Sequence, residues 1–70
     1  MKIKQIDFYV NEDHRKSGLP PIVIDKGIDA NPENNFSDLQ KARIFVDNKI
    51  LPNIKALYSL PDMVATMHIV

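Results

Sequence analysis

Apolar and polar residues alternate along the first ten positions. Ile6, Phe8 and Val10 point one way, and Ile3, Gln5, Asp7 and Tyr9 the other, which predicts a strand over Lys2–Val10 with one strongly apolar face. Asn11 to Gly18 (NEDHRKSG) is polar, ends in glycine, and reads as a loop. Leu19 to Asp25 (LPPIVID) predicts a second strand. Pro20 and Pro21 carry no N–H for a ladder, so this strand belongs at a sheet edge. Gly27 to Phe36 (GIDANPENNF) is a polar connection with the turn-forming pair Asn31-Pro32.

Ser37 to Tyr58 changes period. Ser37 followed by Gln40 has capping-box spacing, and Asp38 adds negative charge where the helix dipole is positive. At about 100° per residue, Leu39, Val46, Ile50 and Leu57 form one narrow face, with Ala42 and Ile54 at its margins. That stripe is the expected core face. Ile44, Leu51 and Tyr58 recur every seventh residue and form a second stripe roughly 120° away. Phe45 stands apart on the other side. A helix on one small sheet needs a single apolar face. Either loops of the same chain or a second chain must therefore cover Ile44, Leu51 and Tyr58. Pro52 removes a helical donor and pushes Leu51 away from the α region. The expectation is a helix from Asp38 to Leu51, then a kink or a new turn over Asn53–Tyr58. Ser59 to Asp62 turns the chain, and Met63 to Val70 alternates again as a third strand, with Met63, Ala65, Met67 and Ile69 on its apolar face.

The order strand, strand, helix, strand gives a small α+β domain of ββαβ type. Its three strands form a mainly antiparallel sheet of order 2-1-3, with one kinked helix packed on one face. Strand two at the centre would conflict with its prolines. The open face then carries Ile3, Tyr9, Val23, Thr66, His68 and Val70 around Gln5 and Asp7. Asp7 and His68 become cross-strand neighbours in this order. Strand three leaves an outer edge with no charge over Met63–Ile69 except a protonated His68, and such edges pair with other chains.

Seventy residues make one domain, and 44% hydrophobic residues suit a folded chain. Absence of cysteine excludes disulfides and thiolate metal sites. The charged start Met-Lys-Ile-Lys-Gln-Ile-Asp does not read as a signal peptide, and no apolar run of about 18 residues exists to span a membrane. The expected address is the cytoplasm.

Candidate chemistry is sparse. Asp29-x-Asn31-x-Glu33 has the oxygen spacing of a calcium loop, but Asn34 stands where glycine is needed and Gln40 where a bidentate Glu is needed. His14 and His68 are separated, Ser37 is explained as a cap, and no nucleophile–base–orienter set is visible. An Asp7–His68 pair is the seed of a minimal enzyme reading. Gly18 and Gly27 begin no phosphate loop. Nine basic and nine acidic side chains cancel, which argues against nucleic acid. The alternative of a nucleic-acid binder rests on Arg15, Lys16, Lys41 and Lys55, spread over loop and helix. No cofactor, metal or catalytic residue is expected.

Elimination and surplus apolar surface together point to a non-enzymatic protein-binding module, with a protein partner or self-association. The expected contact residues are Tyr9, Thr66, His68 and Val70 on the sheet, and Ile44, Leu51 and Tyr58 on the helix. Lys, Ile and Asn fill 22 of 70 positions, and all use A/T-rich codons. That bias fits a phage or mobile-element accessory factor acting on a larger host assembly.

Overall fold

The computed structural model describes all residues, 1–70. β1 (Ile3–Tyr9) is central, flanked by β2 (Val23–Asp25) and β3 (Val64–Ile69) in the order β2-β1-β3. Both pairings are antiparallel. A helical rod over residues 39–58 packs on one face, so the expected α+β layer and strand order stand as read. No helix is long and apolar enough to cross a membrane.

β2 is shorter than the predicted Leu19–Asp25. Its ladder begins at Val23, two residues beyond the prolines. The segment between β1 and β2 is not a loop throughout: α1 spans Glu12–Lys16. Asn11 caps it by accepting from the His14 N–H at 2.8 Å. Glu12 and Asp13 lie in its first turn and His14, Arg15 and Lys16 in its last, matching the dipole. Gly18, at φ 76°, closes it while the Leu19 N–H reaches back to the His14 carbonyl. The Gly27–Phe36 connection also has structure. A 3₁₀ turn, Gly27–Ala30, is tied to Asp25 and places Ile28 in the core.

The rod consists of α2 (Leu39–Phe45), a π turn (Val46–Ile50) and α3 (Leu51–Tyr58). Asp38, not Ser37, is the cap of α2, its carboxylate accepting from the Lys41 N–H at 2.9 Å. Pro52 sits in the first turn of α3, where its missing N–H costs least. The π turn is the adjustment that makes this possible, since the Leu51 N–H bonds five residues back to the Val46 carbonyl. The rod therefore does not end at Leu51; it gains one residue in a turn and continues.

That extra residue slips the phase of everything after it by about 100°. The core face is consequently Ala42, Val46 and Leu51, with Phe45, Ile50 and Ile54 packed at its margins. Leu39 and Leu57, expected inside, are exposed, Leu57 by 73%. Phe45 is not isolated, because its ring packs against Phe36 at 5.3 Å with a 48° tilt.

The core is completed by Ile3, Ile6, Phe8, Met63 and Ala65. Ile6, Phe8 and Ala65 follow the predicted alternation. Ile3 does not. A register shift between Ile3 and Gln5 turns Ile3 to the covered side. Val23 stands opposite Phe8 and also packs on the core, leaving Ile24 on the open face in its place. Asn34 is the buried polar residue that anchors this end. Its side chain accepts from the Ile3 N–H at 2.8 Å and donates to the carbonyls of Ile3 at 2.7 Å and Ile28 at 3.0 Å.

Candidate protein-binding surfaces

The open face is built by side chains that alternate with the core. β1 contributes Gln5, Asp7 and Tyr9, and β3 places His68, Thr66 and Val64 opposite them. β2 adds Ile24 beside Asp7. Three of these side chains form a network. The His68 Nε2 lies 2.6 Å from Asp7 Oδ2, and Gln5 Nε2 donates to Asp7 Oδ1 at 2.7 Å. An ionised carboxylate only accepts, so the imidazole donates. Asp7 is 8% exposed, with Gln5 and His68 on its two carboxylate oxygens. The pair expected from the strand order is thus present, with Gln5 added.

The contact joins a titratable imidazole on β3 to a carboxylate on β1. Thr66, opposite Asp7, has a buried Oγ1 with no hydrogen-bond partner. The network ties β1 to β3.

Tyr9 and Thr66 are half-buried, while His68 and Val70 are exposed. All four predicted sheet residues therefore border the open face. The helix residues do not stay together. Ile44 and Tyr58 are exposed by 51% and 47%, but Leu51 between them is buried at 8% in the core. Leu51 is a core residue rather than a surface one, because the π turn rotates it inward. Ile44 and Tyr58 lie fourteen positions apart, about 21 Å along the rod, so they form no continuous strip.

Sequence reasoning missed a groove of about 620 Å³ beside the outer edge of β3, lined by Leu39, Gln40 and Arg43 on one side and by Ala65, Thr66 and Met67 on the other. Arg15 of α1 stands at its border. Arg43 crosses to this edge, its Nη1 donating to the Ala65 carbonyl at 2.7 Å, and pairs with Asp47 at 3.0 Å. The free edge was legible from strand order; the groove depends on the rotation of the helix and was not.

Two arginines, Arg15 and Arg43, line the groove, each beside a carboxylate of its own helical rod or turn. Arg15 pairs with Glu12 and Arg43 with Asp47, and the formal net charge is zero. In the connection, Asn31 accepts from the Glu33 N–H and Asn34 is consumed by the core. No protein-family model, no curated protein and no solved structure matches this chain.

Proposed function

We propose that the chain is a small non-enzymatic module that binds a larger protein through the uncovered face of its sheet. The observation that carries this reading is one-sided layering. The helical rod packs on the side of the sheet bearing Ile6, Phe8 and Ala65, while Tyr9, Ile24, Thr66, His68 and Val70 alternate to the other side, where Ile24, His68 and Val70 are exposed. An apolar rim around a polar centre suits a partner that presents aliphatic side chains around one hydrogen-bonding group. The A/T-rich coding bias supports a phage or mobile-element accessory factor that acts on a host assembly.

The test is affinity capture from the native cell with the wild-type chain and two surface variants. Ile24→Lys places a charge on the open face, and Ile44→Lys places one on the outer helix. A specific protein retained by wild type and Ile44→Lys, but lost with Ile24→Lys at unchanged circular dichroism, is the expected result. Retention by Ile24→Lys and loss with Ile44→Lys would move the site to the helix. No specific protein retained by the wild type would remove the reading.

A further inference from the structure

The backbone of β3 has a free side that can be assigned atom by atom. The Ile22 N–H donates to the Phe8 carbonyl at 2.9 Å, so the peptide groups of Phe8 face β2. Ala65 stands opposite Phe8, and its own peptide groups therefore face away from β1. Alternation turns those of Met67 and Ile69 outward as well. The Val70 N–H, one position on, returns to the Lys2 carbonyl at 3.0 Å, which fits the same phase. Of these outward groups only the Ala65 carbonyl has a partner within the chain, Arg43.

The one side chain on this edge is Arg43, whose guanidinium holds the Ala65 carbonyl and leaves that oxygen its second lone pair for a neighbour. β3 carries no proline and no Asp, Glu, Lys or Arg, the devices that usually protect an edge. The other edge, β2, is only three residues long and follows Pro20 and Pro21.

We propose that β3 pairs antiparallel with β3 of a second copy, about a two-fold axis at Met67, to give one six-stranded sheet. The register makes donors and acceptors self-complementary. Met67 faces Met67, and Ala65 faces Ile69 of the second copy, each pair exchanging N–H and carbonyl bonds. On the helix side the small Ala65 then lies beside Ile69, and the two Met67 side chains meet. On the open side Thr66 lies beside His68, so no two carboxylates or ammonium groups oppose one another.

Charge disfavours an acidic peptide as the occupant, and the self-complementary register favours a second copy. Both arginines at the groove already hold carboxylates of their own chain, Arg15 with Glu12 and Arg43 with Asp47. The groove thus offers no unpaired cation for an acidic segment, and a chain of zero net formal charge does not repel its copy. The pairing also covers Leu39 and Ile69, which the single chain leaves exposed at 55% and 37%. This inference goes beyond the open-face reading, and its failure would leave that reading standing.

Light scattering across a micromolar to millimolar series tests it, together with amide hydrogen exchange. The expected mass rises to twice the 8.0 kDa of the chain, while exchange at Met67 and Ile69 slows as concentration increases. Met67→Lys puts two like charges at the axis and returns the single-chain mass; Ile44→Lys leaves the doubled mass unchanged. Should Met67→Lys unfold, Ile69→Lys, at a more exposed position, and the two amide rates decide the question. A single-chain mass at every concentration, a doubled mass in both lysine edge variants, or fast exchange at Met67 and Ile69 in the dimer would each overturn the proposal.

Discussion

The side-chain amide of Asn34 replaces a strand for Ile3. It accepts from the Ile3 N–H and donates to the Ile3 carbonyl, 31 residues earlier in the chain. The Lys2 carbonyl is taken by Val70 on the β3 side, so the peptide groups of Ile3 face the side of β2. β2 ends at Asp25, opposite Ile6, and does not extend that far. An amide has the donor and acceptor of a peptide group, which is why asparagine fills the gap. The segment continues the role two residues on, where the Phe36 N–H bonds to the Met1 carbonyl at 2.9 Å.

Asn34→Ala leaves the Ile3 N–H and the carbonyls of Ile3 and Ile28 buried without that partner. The Ile28 carbonyl keeps the Asn31 N–H, so two groups, the N–H and carbonyl of Ile3, lose their partner; at about 1–3 kcal/mol each the expected loss is about 2 kcal/mol or more. Asn34→Asp can accept but not donate, and buries a carboxylate facing two carbonyls, so it is expected to be at least as damaging. Urea unfolding followed by circular dichroism measures both. A loss below 1 kcal/mol for either variant would mean that water replaces the amide at little cost.

The π turn predicts a reversal along the rod. Leu51→Ala removes a buried side chain and is expected to cost about 2–5 kcal/mol. Ile44→Ala, at an exposed position, is expected to fall within about 0.5 kcal/mol of wild type. Both residues belong to the same heptad stripe in the sequence, so equal effects would place the helix in an unbroken α phase. Denaturant midpoints of the two variants distinguish these cases.

The same contrast shows what was legible. Strand order followed from Pro20, Pro21 and the short connections, all local features with a direct physical consequence. The pairing of Asp7 with His68 followed from that order. The faces of β1 beyond Gln5 and of β3 were read correctly because alternation there is unbroken. The misreadings arise where one residue is inserted: at the π turn, which rotates Leu51 inward and Leu57 outward, and at Lys4, which turns Ile3 over. Insertions of this kind leave composition unchanged, so periodicity cannot register them. α1 was legible in principle. Asn11, the acidic pair, the basic trio and Gly18 form a start-to-stop helix signature, and its shortness hid it. Asn34 carried no signal, since an asparagine in a polar run looks the same whether buried or solvated.

Ser59 ends α3 at φ 56° and ψ 39°, the left-handed region, with the Leu60 N–H bonded back to the Lys55 carbonyl. This is the position that glycine fills in most such caps, because a Cβ is strained there. Ser59→Gly is expected to stabilise the fold by about 0.5–1 kcal/mol. In a domain of this size that raises the melting temperature by roughly 2–8 °C, readable by thermal circular dichroism. A lowered melting temperature would show that the gain in unfolded-chain entropy outweighs the relieved strain.

Thr66 offers the cleanest separation of packing from polarity. Its Oγ1 is buried and unpartnered, on a strand position where valine has nearly the same shape and equal or better strand preference. A buried hydroxyl without a hydrogen bond carries a desolvation cost that a methyl group does not. Thr66→Val is therefore expected to stabilise the chain by about 1 kcal/mol, against the usual direction of core substitutions. The Asp7–His68 contact on the facing strand stays intact, because neither group bonds to Thr66. Chemical unfolding of the variant gives the sign directly. Destabilisation by a similar amount would mean that the hydroxyl is paired in solution, with water or with Asp7, and would turn the Asp7–His68–Gln5 network into one of four members rather than three.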